Sequence, residues 1–307
     1  MTKRRIFLRS ATILFCVFMF LCAVVFPAEA AESIMSSLSL AVRRVVPSLF
    51  VFSALAALFA RIGLFTRAGR LGRLFGLSPA CTAVALCGLL CGFPTSAVCA
   101  HALWESGEAD AGEMRAVLPF CSNAGMAFVV GAVGGGMLGS RRAGYMLFLM
   151  QTVLSIVFIL LFCRSKSAAV LPVRAKKESL SHALVASVSA AGGAMLAVCA
   201  FIAFFGAAAD MICLVFPSVP SLLRAVICSF FEISRGCAEF SGAAELSPLL
   251  RYVGVAFALG FSGVSVACQI SERAGEISLS VLPYLAKKLI FGLAMAASGG
   301  IFAIFVL

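Results

Sequence analysis

Long apolar blocks broken by short polar stretches run the length of this chain, and the breaks say as much as the blocks. The first block, Ile13 to Phe26, follows Lys3, Arg4, Arg5 and Arg9 and ends at Pro27. It reads as a signal peptide, with Ala28, Glu29, Ala30 and Ala31 as a small-residue cleavage site. It reads equally as an uncleaved signal-anchor helix over residues 1–30 that proline terminates. Either way the N-terminus stays in the cytoplasm. A second block, Val46 to Ala60, is closed by Arg61, Arg67, Arg70 and Arg73. At about 20 apolar residues per span plus a connector, a chain of this length holds roughly eight to ten membrane segments.

Two later stretches echo each other. LSPACTAVALCGLLCGFPTSAVCAHALWESGE runs from Leu77 to Glu108, and LSPLLRYVGVAFALGFSGVSVACQISERAGE from Leu246 to Glu276. Leu77, Ser78 and Pro79 answer to Leu246, Ser247 and Pro248. Gly92-Phe93 answers to Gly260-Phe261, and Gly107-Glu108 to Gly275-Glu276, with the Gly-Phe and Gly-Glu glycines 15 positions apart in each copy. A Leu-Pro-aromatic triplet follows both: Leu118-Pro119-Phe120 and Leu282-Pro283-Tyr284.

Each copy predicts an apolar half-helix of about a dozen residues, a break, and a second half-helix returning to a Gly-Glu turn; neither half spans a bilayer alone. Glycine and proline stop the helix, and the freed backbone groups cannot face lipid. The expected hairpin tips are Gly92, Phe93 and Pro94 in the first copy and Gly260, Phe261 and Gly263 in the second. Paired interrupted segments in two halves point to the binding site of an inverted-repeat transporter. The alternative is that each copy is one kinked, fully spanning helix packed tightly at its glycine.

Two further polar breaks fall inside apolar stretches. One is Leu118-Pro119-Phe120-Cys121-Ser122-Asn123-Ala124-Gly125, where Asn123 can both donate and accept hydrogen bonds. The other is Phe230-Phe231-Glu232-Ile233-Ser234-Arg235-Gly236. An acid so placed is a functional candidate, or it pairs with Arg235 three residues on at the membrane surface. Gly131, Gly134, Gly135, Gly136 and Gly139 read as close helix packing rather than a phosphate cradle, since no Lys-Ser/Thr follows.

Composition settles the class. Hydrophobic residues are 62% and charged residues 12%, against about 45–50% and 25% in soluble chains, and the mean hydropathy is +1.10. This excludes a soluble enzyme, a disordered chain and a disulfide-rich module. The fold class is an all-α integral membrane protein, an inverted-repeat transporter-like bundle. The net charge of +11 comes from 24 Lys and Arg against 13 Asp and Glu. These basic residues cluster between apolar runs, the pattern that orients a membrane protein, and no aromatic-interleaved patch for nucleic acid is present. The clusters at the N-terminus, at Arg61 to Arg73 and at Arg164 to Lys177 are expected in the cytoplasm. From Asp210 to Glu276 acids outnumber bases, so that stretch faces outward. Arg43, Arg44, Arg141 and Arg142 run against the rule. The organisation is thus residues 1–30, a first repeat over 38–164, a basic cytoplasmic loop over 165–182 and a second repeat over 183–307.

Most of the 13 cysteines lie inside apolar runs, no CxxC occurs, and there are only two histidines. Buried small hydrophobes explain the cysteines; no metal site and no cofactor is expected. Gly260-Phe261-Ser262-Gly263 spells the GxSG of intramembrane serine proteases, but a nucleophile needs a base and no histidine follows Ser262. Walker A and HExxH motifs are absent, and no catalytic residue is assigned. Thr95, Ser96, Asn123, Glu232, Ser262, Ser265 and Gln269 are expected to line one polar cavity, because unpaired polar groups in hydrocarbon are costly. Hydroxyls and amides suit a small polar solute. Transport and a non-transporting scaffold both remain open, as does a homo-oligomer; the bilayer is the certain partner.

The succession GFPTSA, Gly-Glu turn, LPFCSNAG, glycine-rich helix, FFEISRG and GFSGVSV resembles the YlbJ-type sporulation integral membrane proteins, which belong with the Gate, or nucleoside-recognition, domain proteins. The resemblance covers roughly Leu38 to the C-terminus. It implies a role in spore envelope (cortex) formation and a fold akin to concentrative nucleoside transporters, with an unassigned solute.

Overall fold

The computed structural model describes residues 3–64, 70–163 and 179–305, and no strand occurs among them. Helix α1 (Lys3–Val25) and helix α2 (Pro27–Leu40) meet at Pro27, and their axes there are bent by 109°. Proline is tolerated because it opens the second helix, where its missing N–H is not needed. A short π-helical turn leads into α3 (Val46–Arg61).

The rest of the chain repeats one sequence of elements. The first half has a hairpin of α4 (Pro79–Cys91) and α5 (Thr95–Glu105), packed side by side. A broken helix follows, α6 (Ala111–Cys121) and a π-helical stretch Ala127–Met137, interrupted over residues 122–125; then comes the full-length α7 (Arg141–Phe162). Helix α8 (Leu180–Val215), 36 residues long, crosses between the halves. The second half has a hairpin of α9 (Ser221–Phe231) and α10 (Ile233–Gly242), a broken helix of α11 (Pro248–Phe261) and α12 (Gly263–Ala274), and the full-length α13 (Val281–Phe302).

The Leu-Ser-Pro landmarks are helix starts. Ser78 Oγ accepts the Cys81 N–H (3.0 Å) and Ser247 Oγ the Leu250 N–H (3.2 Å), each with proline in the first helical position. A hydroxyl cap followed by proline satisfies one orphan N–H and removes another.

The register of the repeat differs from the one read off the sequence. Gly92, Phe93 and Pro94 do form a hairpin tip, but Gly260, Phe261 and Gly263 do not. Pro248–Ile277 runs as one 30-residue helical segment. Its break is a single residue, Ser262, with left-handed backbone (φ 66°, ψ −14°), and the Ser262 N–H still bonds the Ala258 carbonyl at 2.9 Å. One residue out of line, with helical bonding kept up to it, interrupts the helix without folding it back. For this copy the kinked-helix alternative holds. The second hairpin tip is Glu232, whose extended backbone (φ −147°, ψ 127°) separates α9 from α10. The two arms are tied at their base, where Ser221 Oγ donates to the Glu245 carboxylate. They touch near the tip, where a Cβ on Gly236 would lie 2.2 Å from Ser229 Oγ. The Gly-Phe strings therefore match a hairpin to a broken helix, whereas the structure matches hairpin to hairpin.

Among the described residues, four helices are long and apolar enough to cross a membrane: Arg141–Phe162, Leu180–Val215, Pro248–Ile277 and Val281–Phe305. The bent N-terminal pair makes a fifth if it is one span, and Leu49–Phe59, Pro79–Cys91, Ala127–Met137 and Ser221–Phe231 are shorter apolar helices. Within its most apolar 18 residues Pro248–Ile277 is 78% buried, against 28% for the same length of Arg141–Phe162. A broken helix in the interior and an unbroken one at the rim is the arrangement that hydrocarbon requires. In the glycine-rich stretch Gly134 meets Gly144, a Cβ there lying 2.5 Å from the facing Cα, while Gly131 and Gly139 face open space. All 13 cysteines are free. Of the basic loop 165–182, residues up to 178 lie outside the described residues, as do Arg67 and Arg164.

Candidate functional site

The first hairpin tip is seated on the first broken helix. Gly92 has φ 76°, and a Cβ there would lie 2.8 Å from the Gly125 nitrogen and 2.9 Å from the Asn123 carbonyl, so only glycine fits. The next residue, Phe93, donates its N–H to the Asn123 carbonyl (3.0 Å). Beyond the tip, Thr95 Oγ1 lies 3.1 Å from Ser53 Oγ, and Ser96 Oγ 2.6 Å from Ser122 Oγ. Asn123 Nδ2 donates to the Phe120 carbonyl (2.9 Å) and to Ser155 Oγ (2.6 Å), and Ser155 Oγ donates onward to the Gln151 carbonyl (2.7 Å). Gln151 Nε2 donates to the Ala124 carbonyl (2.8 Å). Lys288, fully buried on α13, donates from Nζ to Asn123 Oδ1 (2.9 Å) and to the Ser122 carbonyl (3.4 Å).

The second hairpin tip meets the second broken helix in the same way: a Cβ on Gly263 would lie 3.0 Å from the Ser229 carbonyl and 3.2 Å from that of Phe231. Glu232 Oε2 caps α10 by accepting the Arg235 N–H (2.8 Å). Its other oxygen, Oε1, has no hydrogen-bond partner among the described residues. The Arg235 guanidinium turns away to an ion pair with Asp210 of α8, and it also donates to Ser36 Oγ (2.7 Å). So Glu232 does not form the surface ion pair with Arg235 that the sequence left open. Gln269 Nε2 donates to Ser265 Oγ (3.2 Å), and Gln269 Oε1 is likewise unpartnered. Ser262 Oγ donates to the Leu259 carbonyl of its own helix (3.0 Å).

Between the two assemblies lies a small cavity. Phe93, Ala124 and Gly125 line it from the first half, and Glu232, Ser234 and Gln269 from the second. Apolar side chains close it, among them Val45 and Leu49 near and on α3, Ile202 of α8 and Val266 of α12. It has about 10 Å³ of space for the centre of a water-sized sphere, room for about one water molecule.

The seven residues expected to line one cavity thus fall into separate groups. Glu232 and Gln269 face the cavity, with Ser265 behind Gln269. Thr95, Ser96 and Asn123 belong to the buried network of the first half, and Ser262 bonds within its own helix. Sequence reasoning missed Lys288, Gln151 and Ser155. Lys288 had a signal: Lys287-Lys288 lies inside the apolar run Val281–Phe302, and an intramembrane charge is a functional candidate by default. Gln151 and Ser155 had none beyond single polar residues in an apolar helix.

The fold is that of a nucleoside transporter of known structure. CNTnw, a concentrative nucleoside transporter, in its inward-facing substrate-bound state aligns with a TM-score of 0.58 at 15% identity, over 96% of this chain and 84% of that one. A variant of CNTnw in its intermediate 1 state gives the same score and identity over 95% and 85%. At that identity the likeness establishes the fold: an all-helical, multi-pass membrane bundle of transporter type. No protein-family model and no curated protein matches the sequence.

Proposed function

We propose that this protein moves a small polar solute of nucleoside type across the membrane, binding it between the hairpin tips at Glu232 and Gln269. One observation carries the reading. The cavity sits where both hairpins and both broken helices converge, and two acceptors, Glu232 Oε1 and Gln269 Oε1, lack partners there. Buried polar groups are ordinarily satisfied, so these two await donors. The hydroxyl groups of a sugar supply them. A cavity with room for about one water holds no such solute, so transport requires the hairpins to part. Reconstituted vesicles tested with uridine and related neutral polar solutes check the reading: uptake above empty vesicles is expected, and its loss in Glu232→Gln. Equal uptake by the protein and Glu232→Gln removes Glu232 from the site.

The sequence resemblance to YlbJ-type proteins is what supports a role in spore envelope formation; loss of cortex on disruption of the gene, restored by the intact chain, is the corresponding test. The repeats are assigned to residues 38–164 and 183–307, with the N-terminus in the cytoplasm on the strength of the basic clusters. A single cysteine at Ser181 should resist impermeant thiol reagents in intact cells; labelling there reverses the orientation. A non-transporting scaffold is the second reading, and the cavity's size favours it. It is the outcome if no solute is taken up while the folded protein inserts normally.

A further inference from the structure

We propose that the break in the first broken helix is a monovalent-cation site filled from within, by the ammonium group of Lys288. This goes beyond the solute reading and does not rest on it. Where a helix is interrupted inside a membrane, its freed carbonyls need partners. Within the interruption the carbonyls of Ser122, Asn123 and Ala124 each have a visible partner. The Asn123 carbonyl accepts the Phe93 N–H, and the Ala124 carbonyl accepts Gln151 Nε2. The third, Ser122, accepts Lys288 Nζ at 3.4 Å, and the same nitrogen bonds Asn123 Oδ1 at 2.9 Å and lies 5.0 Å from the centre of the Phe291 ring.

An amide oxygen, a backbone carbonyl and an aromatic face are the partners of a cation. Unwound carbonyls of this kind are where membrane transporters commonly hold sodium. Lys288 is 0% exposed and takes part in no ion pair among the described residues. A buried ammonium without a carboxylate is costly, and it persists here because these oxygens replace its water. The tethered charge makes the broken helix independent of any diffusible cation.

The test is the melting temperature of the full purified chain in sodium chloride and in choline chloride at equal ionic strength. The unmodified protein should melt at the same temperature in both. Lys288→Ala should melt about 5 °C lower or more in choline, and sodium should restore most of the difference by entering the vacated site. A sodium-dependent rise in the unmodified protein overturns the proposal, as does a Lys288→Ala variant indifferent to sodium, potassium and choline. If Lys288→Ala does not fold, the pairing is tested by Asn123→Leu alone and combined with Lys288→Met. The double variant should be the more stable, because no ammonium is left without its oxygen. A double variant that loses the sum of the single losses overturns the proposal.

Discussion

At the first hairpin tip Thr95 meets Ser53, Ser96 meets Ser122, and Asn123 spends its amide on Phe120, Ser155 and Lys288. At the second, Glu232 spends one oxygen on capping α10 and leaves the other, like Gln269 Oε1, without a partner beside the cavity. Both tips dock through a close glycine contact, at Gly92 and at Gly263. Their polar groups have opposite fates. In the first half the tip residues bind one another, and the one acceptor left over in their network, Gln151 Oε1, does not line the cavity; in the second, the unpartnered acceptors line it. The difference teaches that burial and polarity, which the two tips share, do not mark a ligand site by themselves. Unspent hydrogen-bonding capacity that faces a cavity does, and among the described residues it belongs to Glu232 and Gln269 of the second half. Changes in the first half should therefore be read in stability, and changes in the second in transport.

The strongest contrast comes from Asn123→Leu. It takes from the buried Lys288 ammonium the shorter of its two oxygen contacts, leaving the Ser122 carbonyl at 3.4 Å, and leaves Ser155 only the Gln151 carbonyl; losing one partner of a buried charge costs about 3–5 kcal/mol. The expected result is a large fall in melting temperature and in the yield of inserted protein, with uptake per folded molecule nearly unchanged. Normal yield with uptake abolished would instead place Asn123 on the solute path.

Next is Glu232→Gln. One amide oxygen can still cap α10, but the cavity now faces an N–H₂ where an acceptor stood. A site that loses the partner of a solute's donor discriminates strongly, and the expected loss of uptake is about 100-fold, or about 2.7 kcal/mol, with little change in melting temperature. A stability loss without a transport loss would make the second tip as structural as the first.

Some of this was legible in the sequence. The Ser-Pro starts at Ser78 and Ser247, the Gly92 to Pro94 tip and the break at Ser122 to Gly125 are local. Glycine, proline and capping hydroxyls act on their own backbone, so short strings reveal them. The second tip was misplaced because Gly-Phe recurs at Gly260, while the actual turn at Glu232 uses one extended residue and no glycine. Whether a break folds back or runs on is decided by what packs beside it: α9 and α10 close through Gly236 on Ser229, a contact no spacing encodes. The split of the seven polar residues was hidden for the same reason. Ser53, Ser155 and Lys288 lie 42, 32 and 165 positions from the residues they satisfy, and only the folded chain shows which acceptors are already taken.

The finest test of the asymmetry is Thr95→Val. The substitution keeps the shape of the side chain and removes its hydroxyl, so the Ser53 hydroxyl 3.1 Å away loses its partner. A single neutral hydrogen bond is worth about 1 kcal/mol, or about 2–4 °C in melting temperature. Thr95 lies within a few residues of Phe93, which does line the cavity, so proximity alone would give it a share in the solute. If capacity already spent is what excludes a residue, uptake by Thr95→Val should stay within about twofold of normal while the small stability loss is measurable. An uptake loss as large as that of Glu232→Gln, at unchanged melting temperature, would mean that Thr95 leaves Ser53 for the solute when the hairpins part. The first tip would then belong to the binding site in the open state, and the division between a structural and a ligand-facing half would hold only for the closed one.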